Sequence, residues 1–218
     1  DYYCTEMQAQ EVYDRAVAQR ARCTPSTVRG DRSGGYETDR LIQDALADVR
    51  GAPFRVDDDP HLTIERIRGR VYQQHAARGL DIVAVDYVQR LAPSPRDSKK
   101  NKFKLIDDNT VALQQLARDL DIVVICVAQQ KTPDGKKYRQ PQLFDIADSK
   151  MPVKEASGVI YVHRPHYQGK KCDPNLVELL LRKSRDGRPG QFDFKFIGTC
   201  LRFAPVGPND PSQSGLPV

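Results

Sequence analysis

The sequence predicts an α/β protein built on a mainly parallel sheet, and three observations support this prediction. Two continuous apolar runs, 82–86 and 122–128, are typical of strands that are covered on both faces. Segment 104–120 between them has helical periodicity, and parallel strands need such a crossover. After residue 158 the predicted strands are joined by short turns without helices, which indicates C-terminal antiparallel hairpins.

The N-terminal part of the chain is predicted to contain one short strand followed by helices. Residues 2–4 are apolar and form the strand. Residues 8–22 carry apolar side chains at the i, i+3, i+4, i+7 spacing of a one-sided helix. Thr38 and Thr63 are positioned as N-caps of two further helices, the second of which is expected to end at Gly79.

The C-terminal part is predicted to form four strands and a tail. The segment 186–190, rich in Gly and charged residues, is typical of a hairpin turn. Residues 205–218 contain four prolines and no periodicity, so we expect one domain over residues 1–204 and a disordered tail after it. The predicted strands are 158–163, 176–182, 191–197 and 201–204.

Composition excludes several classes of protein. With 39% hydrophobic and 29% charged residues, the chain is not disordered throughout. Its apolar runs are far shorter than the roughly 20 residues that cross a bilayer, and no signal peptide is visible, so a cytoplasmic protein without a membrane partner is expected. Five cysteines without a C-x-x-C pair favour free thiols.

The net charge of +5 is unevenly distributed. The first 100 residues hold 16 basic and 16 acidic side chains, whereas the remaining residues hold 18 and 13. The basic excess therefore lies in the second part of the chain. It favours a polyanionic partner, with a solvated charged face as the alternative.

Three predicted strands end in polar side chains that suit phosphate chemistry. Asp86 follows an apolar strand, as does the carboxylate that holds Mg²⁺ in nucleotide hydrolases, although such an aspartate also occurs as a loop cap. Gln129 follows the next strand and is a candidate sensor of the γ-phosphate. Glu6 follows the first strand and is a candidate general base. Since parallel strands place their carboxyl ends at one edge, the three are expected at one site.

Two basic segments are candidates for contact with nucleic acid, and ordinary surface loops are the alternative. Each also contains an aromatic residue, Phe103 or Tyr138, that is able to stack on a base. The basic residues are Arg96, Lys99, Lys100, Lys102 and Lys104 in the first segment and Lys131, Lys136, Lys137 and Arg139 in the second.

Five short motifs resemble, in order and spacing, the motor domain of DnaB-like replicative DNA helicases, and the similarity runs from about residue 2 to residue 204. The strand end D-Y-x-Q and the hairpin K-x-R-[ND]-G are distinctive together. The motifs are Thr5-Glu6-Met7, Val85-Asp86-Tyr87-Val88-Gln89, Ala117-Arg118-Asp119-Leu120, Val127-Ala128-Gln129 and Arg182-Lys183-Ser184-Arg185-Asp186-Gly187.

The resemblance implies a RecA-like P-loop NTPase core that hydrolyses ATP, or another NTP, with Mg²⁺. It also implies a homohexameric ring on single-stranded DNA that unwinds duplex DNA in replication, with primase and a helicase loader as partners, in a bacterial or a phage- or plasmid-encoded system. By matching position, Glu6 is the catalytic glutamate, Asp86 the Mg²⁺-associated acid and Gln129 the sensor. The resemblance further implies that Lys183 and Arg185 reach the nucleotide of the neighbouring subunit, where a guanidinium neutralises charge on the transferred phosphoryl group.

Two departures from the family limit this comparison. The family's D-L-R-E-S-G stretch reads D-I-A-D-S-K here, so its arginine is absent and Lys150 is the candidate substitute. No G-x-x-x-x-G-K-[ST] loop occurs in the 218 residues, so we expect an N-terminally truncated motor domain that hydrolyses little ATP alone. The alternatives are a non-catalytic DNA-binding or ring-assembly module and a RecA-like recombinase or loader ATPase.

Overall fold

The computed structural model describes residues 1–31, 35–131 and 138–206. These residues form two compact units. The described part of unit 1 comprises residues 1–12, 52–131 and 144–156, and that of unit 2 comprises residues 13–31, 35–51, 138–143 and 157–206.

Helices and strands alternate along the first part of the chain, and strands dominate its end. The helices are α1 (Ala9–Ala21), α2 (Pro25–Val28), α3 (Gly35–Gly51), α4 (Ile64–Arg78), α5 (Lys102–Leu120) and α6 (Met151–Glu155). The strands are β1 (Tyr2–Cys4), β2 (Val56–Asp57), β3 (Ile82–Asp86), β4 (Val123–Cys126), β5 (Gly158–His163), β6 (Leu176–Ser184), β7 (Gly190–Ile197) and β8 (Arg202–Pro205).

Unit 1 contains a four-stranded parallel sheet in the order β2-β1-β3-β4. One face of the sheet carries Tyr3, Val83 and Val85, which are at most 2% exposed and belong to the same core as Ile67 of α4 and Leu116 of α5. Burial of each such side chain stabilises the fold by about 1.5–3 kcal/mol. The predicted parallel sheet with a helical crossover between β3 and β4 is confirmed.

The opposite face of this sheet is apolar and partly accessible. Ile82, Val123 and Ile125 lie on it and are 50%, 58% and 49% exposed. The continuous apolar runs predict that other elements pack on both faces of this sheet. Within the residues that the structure describes, only one face is packed.

Helix ends in unit 1 follow the local sequence. Thr63 caps α4 by accepting a hydrogen bond from the Arg66 N–H at 3.3 Å, and Gly79 ends the helix with φ 73°, a left-handed value that suits glycine. Helix α5 begins two residues before the predicted start, because Asn101 caps it by accepting from the Lys104 N–H at 2.8 Å. Two 3₁₀ turns, Val88–Arg90 and Pro95–Asp97, lie between β3 and α5.

Unit 2 contains an antiparallel sheet in the order β5-β6-β7-β8. The predicted hairpin is confirmed, and it joins β6 to β7. At Gly187 in its turn, a Cβ atom would lie 3.1 Å from Ser184 Oγ, so a larger residue there requires the Ser184 side chain to shift. Strand β8 extends to Pro205, and Val206 N–H bonds to Asp193 O at 3.2 Å, so the sheet continues past residue 204. The rest of the predicted tail, 207–218, lies outside the described residues.

The helical part of unit 2 has a small core of its own, with Val17 of α1 packed near Ile42 and Ala45 of α3. The prediction that Thr38 caps α3 is wrong, because the helix already includes residue 35. The local sequence does not indicate α2, α6 or β2. Elements of two to five residues are too short to show a periodicity.

Within the described ranges, no helix is both long and apolar enough to cross a membrane. All five cysteines are free thiols, and Cys4 and Cys200 are buried.

Candidate functional site

The structure brings Glu6, Asp86 and Gln129 to one edge of the sheet in unit 1. Glu6 follows β1, Asp86 is the last residue of β3, and Gln129 follows β4. The three strands are direct neighbours and run parallel, with Cys4 of β1 paired to Asp86. Their carboxyl ends therefore meet, as they do at ligand sites of open α/β sheets.

Asp86 is half-buried and is tied to β1 by its backbone and its carboxylate. Its carbonyl oxygen accepts hydrogen bonds from the Thr5 N–H at 2.9 Å and from Thr5 Oγ1 at 3.2 Å. The Tyr2 hydroxyl donates to Asp86 Oδ2. Burial, and then this hydrogen bond, raise the pKa of Tyr2 above its ordinary value, so Tyr2 stays a donor at neutral pH. The sequence gives no sign of this contact, because 84 residues separate Tyr2 from Asp86.

Glu6 lies in the turn between β1 and α1, and its side chain is exposed. The turn is held on both sides. Met7 N–H donates to Cys4 Sγ at 3.3 Å, and Ala9 N–H at the start of α1 donates to Asp58 Oδ2 at 2.7 Å. The Asp58 carboxylate is favourable at the N-terminus of α1 because the helix dipole is positive at that end. The main chain at Glu6 is thus fixed, and its carboxylate faces solvent.

Asp58 belongs to a run of three aspartates, and the other two bind arginines of α4. Asp59 pairs with Arg66 at 2.6 Å, and Asp57 pairs with Arg70. All three carboxylates therefore hold β2, α1 and α4 together. This accounts for the run without a ligand.

The backbone of Gln129 is fixed by the side chain of Gln89, which lies in the 3₁₀ turn after β3. Gln89 Oε1 accepts from the Gln129 N–H at 3.2 Å. The sequence shows Gln89 only as the last letter of a strand-end motif. Its contact lies 40 residues away, so no local signal indicates it.

The residues at this edge fit a nucleotide-bound Mg²⁺ better than a metal held by protein alone. Among the described residues, no group of three or more His, Cys, Asp or Glu side chains is arranged to hold a metal ion. Mg²⁺ commonly uses one or two carboxylates and takes its other ligands from phosphates and water. Asp86 suits that role, whereas a phosphate-binding loop is absent from the 218 residues.

Lys183 and Arg185 lie in unit 2 at the β6–β7 hairpin. Lys183 is near the end of β6, opposite Val159 of β5. Arg185 follows the strand, and its backbone N–H donates to Ser157 O at 2.9 Å, so its main chain is fixed while its side chain is exposed. The hairpin therefore presents a guanidinium to solvent from a rigid base.

Three lysines of the first basic segment form ion pairs with aspartates, which the sequence does not indicate. Lys100 donates to Asp108 Oδ2 at 2.7 Å and lies 2.6 Å from Asp97 Oδ1. The hydrogen bond to Asp108 makes the larger contribution and the hydrogen bond to Asp97 the next, and both raise the pKa of Lys100 above its ordinary value. Lys104 pairs with Asp108 at 2.9 Å, and Lys102 pairs with Asp148 at 2.8 Å.

Two other basic residues of that segment, Arg96 and Lys99, are exposed, and no side-chain ion pair involves them in the described part of the chain. Phe103 is 57% exposed. Arg96 and Lys99 are thus the basic residues of the predicted DNA-binding segment that form no ion pair with a described side chain, and Phe103 is its exposed aromatic residue.

The second basic segment is described at its ends, and Lys136 and Lys137 lie outside the described residues. Lys131 and Arg139 are exposed, and Lys131 N–H donates to Asp145 O at 3.0 Å. Tyr138 does not face solvent freely. Its ring lies 5.8 Å from that of His163, and Lys170 Nζ is 5.4 Å from its centroid.

Lys150, the candidate substitute for the family's arginine, is exposed next to an aromatic ring. Its ammonium lies 5.6 Å from the centroid of Phe144. A cation at that distance is attracted by the negative face of the ring. Both residues belong to unit 1, and the charge stays accessible.

A buried polar cluster around Glu178 holds segment 138–143 in unit 2, and the sequence analysis did not find it. Glu178 is 1% exposed and accepts from Gln140 Nε2 at 2.9 Å and from Lys170 Nζ at 3.3 Å. Arg182 donates to Pro141 O at 3.0 Å. A buried carboxylate needs such partners, so the end of the second basic segment is firmly anchored.

Comparisons with known proteins agree with one another. A model of the DnaB-like helicase C terminal domain matches residues 1–205. The chain is 25% identical over 203 residues to the replicative DNA helicase DnaB of Geobacillus stearothermophilus, covering 92% of this chain and 44% of that protein. It is 27% identical over 213 residues to DnaB of Haemophilus influenzae, covering 92% and 43%. The chain therefore spans less than half the length of these relatives.

Solved structures show the same fold. One solved ATPase domain superimposes with a TM-score of 0.84 at 22% identity and covers 94% of this chain and 74% of that one. A DnaB-like replicative helicase, described with its interactions with primase, gives a TM-score of 0.83 at 22% identity, covering 94% and 50%.

Proposed function

This chain belongs to the DnaB-like helicase C-terminal domain family, and we propose that it is the motor part of a replicative helicase that unwinds duplex DNA with the energy of ATP hydrolysis. The observation that carries the proposal is the placement of Glu6, Asp86 and Gln129 at the ends of three adjacent parallel strands. Arg96 and Lys99, which are exposed just before α5 in unit 1, supply a surface for a polyanion.

The proposed reaction assigns each polar side chain a separate task. Bound magnesium nucleotide supplies the phosphoryl group that is transferred to water. Asp86 holds the metal, and its Oδ2 atom is oriented by the Tyr2 hydroxyl. The exposed Glu6 carboxylate takes the proton of the attacking water. The Gln129 amide donates to the γ-phosphate, and its main chain is held by Gln89.

The proposal extends to partners. We propose that the protein acts as a homohexameric ring on single-stranded DNA, in which Arg185 and Lys183 of one subunit serve the nucleotide of the next. Primase and a helicase loader are the proposed protein partners, in the cytoplasm of a bacterium or in a system encoded by a phage or plasmid. We assign the phosphate-binding loop to sequence that these 218 residues do not include.

Asp86→Asn is the test of the motor function. The protein that contains these residues together with a phosphate-binding loop should unwind a forked duplex in the presence of Mg²⁺ and ATP. In Asp86→Asn, unwinding and hydrolysis should fall by at least about 100-fold, because an amide oxygen binds Mg²⁺ far more weakly than a carboxylate does. The variant keeps an acceptor for Tyr2, so its unfolding midpoint should change little.

Three outcomes would count against this proposal. Mg²⁺-dependent ATP hydrolysis by the 218-residue chain alone, abolished by Asp86→Asn, would show that the phosphate loop is not required. Binding of single-stranded DNA with no unwinding or hydrolysis by the longer protein would favour a non-catalytic DNA-binding or ring-assembly module, and strand exchange without unwinding would favour a recombinase.

Lys99 and Lys100 form a matched pair for testing the DNA surface. Lys99 is exposed and forms no ion pair with a described side chain, whereas Lys100 is held by Asp97 and Asp108. Lys99→Ala should reduce the slope of log affinity against log salt concentration for single-stranded DNA by about 0.7, because one phosphate contact releases about that many counterions.

In Lys100→Ala the same slope should stay nearly unchanged, because a phosphate has to displace two carboxylates to reach that ammonium. Fluorescence anisotropy of a labelled oligothymidine at several salt concentrations measures both slopes. Equal changes in the two variants would mean that the ion pairs of Lys100 do not exclude DNA.

A further inference from the structure

Gln89 is a buried amide that contacts two separate stretches of backbone. Its side chain is 8% exposed. Nε2 donates to Gln129 O at 3.5 Å and to Ala147 O at 3.4 Å, while Oε1 accepts from the Gln129 N–H at 3.2 Å. Both ends of the amide are therefore used. Buried amides satisfied in this way fix the groups that they bind.

The two stretches that Gln89 contacts are also paired with each other. Ala147 N–H donates to Gln129 O at 2.8 Å, and Lys131 N–H donates to Asp145 O at 3.0 Å. Between these bonds, Gln130 and Ile146 form an isolated antiparallel bridge. The main chain that follows β4 is thus held in one arrangement with segment 145–150.

Segment 145–150 continues the contacts toward the basic start of α5. Asp148 pairs with Lys102 at 2.8 Å, and Ser149 Oγ donates to Asp107. One continuous set of hydrogen bonds and ion pairs therefore runs from Gln129 at the sheet edge to Lys102 on the basic segment. All of these residues lie in unit 1.

We propose that Gln89 is a positioning residue that couples occupancy of the nucleotide site to the affinity of the basic segment for single-stranded DNA. A shift of the Gln129 main chain, when its side chain binds a phosphate, changes the hydrogen bonds of Gln89 to Ala147 and thereby moves segment 145–150. The coupling is reciprocal, so bound DNA changes nucleotide affinity by the same factor. This inference rests on the proposed function.

Gln89→Met tests the coupling, because methionine keeps the length and shape of the side chain and removes its hydrogen bonds. Gln89→Glu keeps the acceptor for Gln129 N–H and loses both donors. Gln115→Met is the matched control, since Gln115 is an exposed residue of α5. All are made in the longer protein that carries a phosphate-binding loop.

The measured quantity is the ratio of the affinities for a labelled oligothymidine with and without saturating magnesium AMP-PNP, a non-hydrolysable ATP analogue. In Gln89→Met and Gln89→Glu this ratio should be closer to one than in wild type, and the ratios of variant and wild type should differ by about fivefold or more. A difference of that size is within the usual range of coupling between sites. The affinity for DNA alone should stay within about twofold of wild type, because the contacts of Gln89 with Gln129 and Ala147 do not include a side chain of the basic segment.

Several results would overturn the inference. If wild type binds both ligands and its DNA affinity is the same with and without the analogue, the two sites are not coupled. An unchanged ratio in the Gln89 variants with a lowered unfolding midpoint shows a structural role only, and an equal change in Gln115→Met shows that the effect is not specific. Failure of the wild-type protein to bind either ligand overturns the proposed function itself, and the coupling with it.

Discussion

Glu6→Gln is expected to lower the rate of ATP hydrolysis by about 100- to 10 000-fold, the usual contribution of a general base. A glutamine of the same size does not accept the proton of the attacking water. Because the Glu6 carboxylate is exposed and forms no hydrogen bond or ion pair with the residues described here, its replacement should not disturb the fold. The measurement is kcat for the protein with a phosphate-binding loop, together with its unfolding midpoint.

Glu65→Gln is the matched control for this prediction, since Glu65 is an exposed glutamate in the first turn of α4. It should leave kcat unchanged. The affinity of Glu6→Gln for magnesium ATP should also stay close to that of wild type, because the lost interaction acts in the transition state. A loss of less than about tenfold would show that Glu6 is not the base.

Arg185→Ala is expected to lower DNA-stimulated hydrolysis by about 1000-fold or more, in the range known for arginines that stabilise a transferred phosphoryl group. The side chain is exposed at a turn whose main chain is fixed, so its removal should cost little stability. Arg185→Lys should restore only part of the rate, because lysine lacks the planar fork of donors. Arg188→Ala, in the same turn and also exposed, is the matched control.

Mixed rings separate action within a subunit from action between subunits. Rings are assembled from a mixture of Glu6→Gln and Arg185→Ala subunits. If Arg185 acts on the nucleotide of the neighbouring subunit, a Glu6→Gln subunit supplies an intact Arg185 to an adjacent Arg185→Ala subunit, which retains Glu6. In a random equal mixture about a quarter of the interfaces combine both intact residues, because each interface takes one side from each neighbour. The mixture should therefore regain activity that neither variant shows alone. A mixture no more active than the separate variants would place Arg185 in its own subunit's reaction.

Strand ends were the most predictable part of the candidate site. An apolar run that stops at a polar residue is a local signal, and it placed Asp86 at the end of β3 and Gln129 after β4, although β4 ends at Cys126 and not at residue 128 as predicted. The hairpin that carries Arg185 was equally local, because its turn residues lie between two strands that pair with each other. Roles for these residues came from the resemblance to the helicase family and stay predictions.

Side-chain partners were the least predictable part. Lys100 and Lys99 are adjacent and equally basic in the sequence, yet only Lys100 lies between two carboxylates. One of these, Asp108, is on the next helix, and its distance from Lys100 depends on where α5 begins. The sequence predicted that start two residues late, so it could not distinguish Lys100 from Lys99, which forms no ion pair with a side chain that the structure describes.

The sequence by itself determined the class of the fold, seven of the eight described strands and the polar residues that follow three of them. These features depend on hydrophobic periodicity and turn residues, which act within one element. Only the tertiary structure decided that Tyr2 binds Asp86 and that Gln89 joins Gln129 to Ala147. Such contacts depend on which distant strands become neighbours and in what register, and packing of the whole unit sets both.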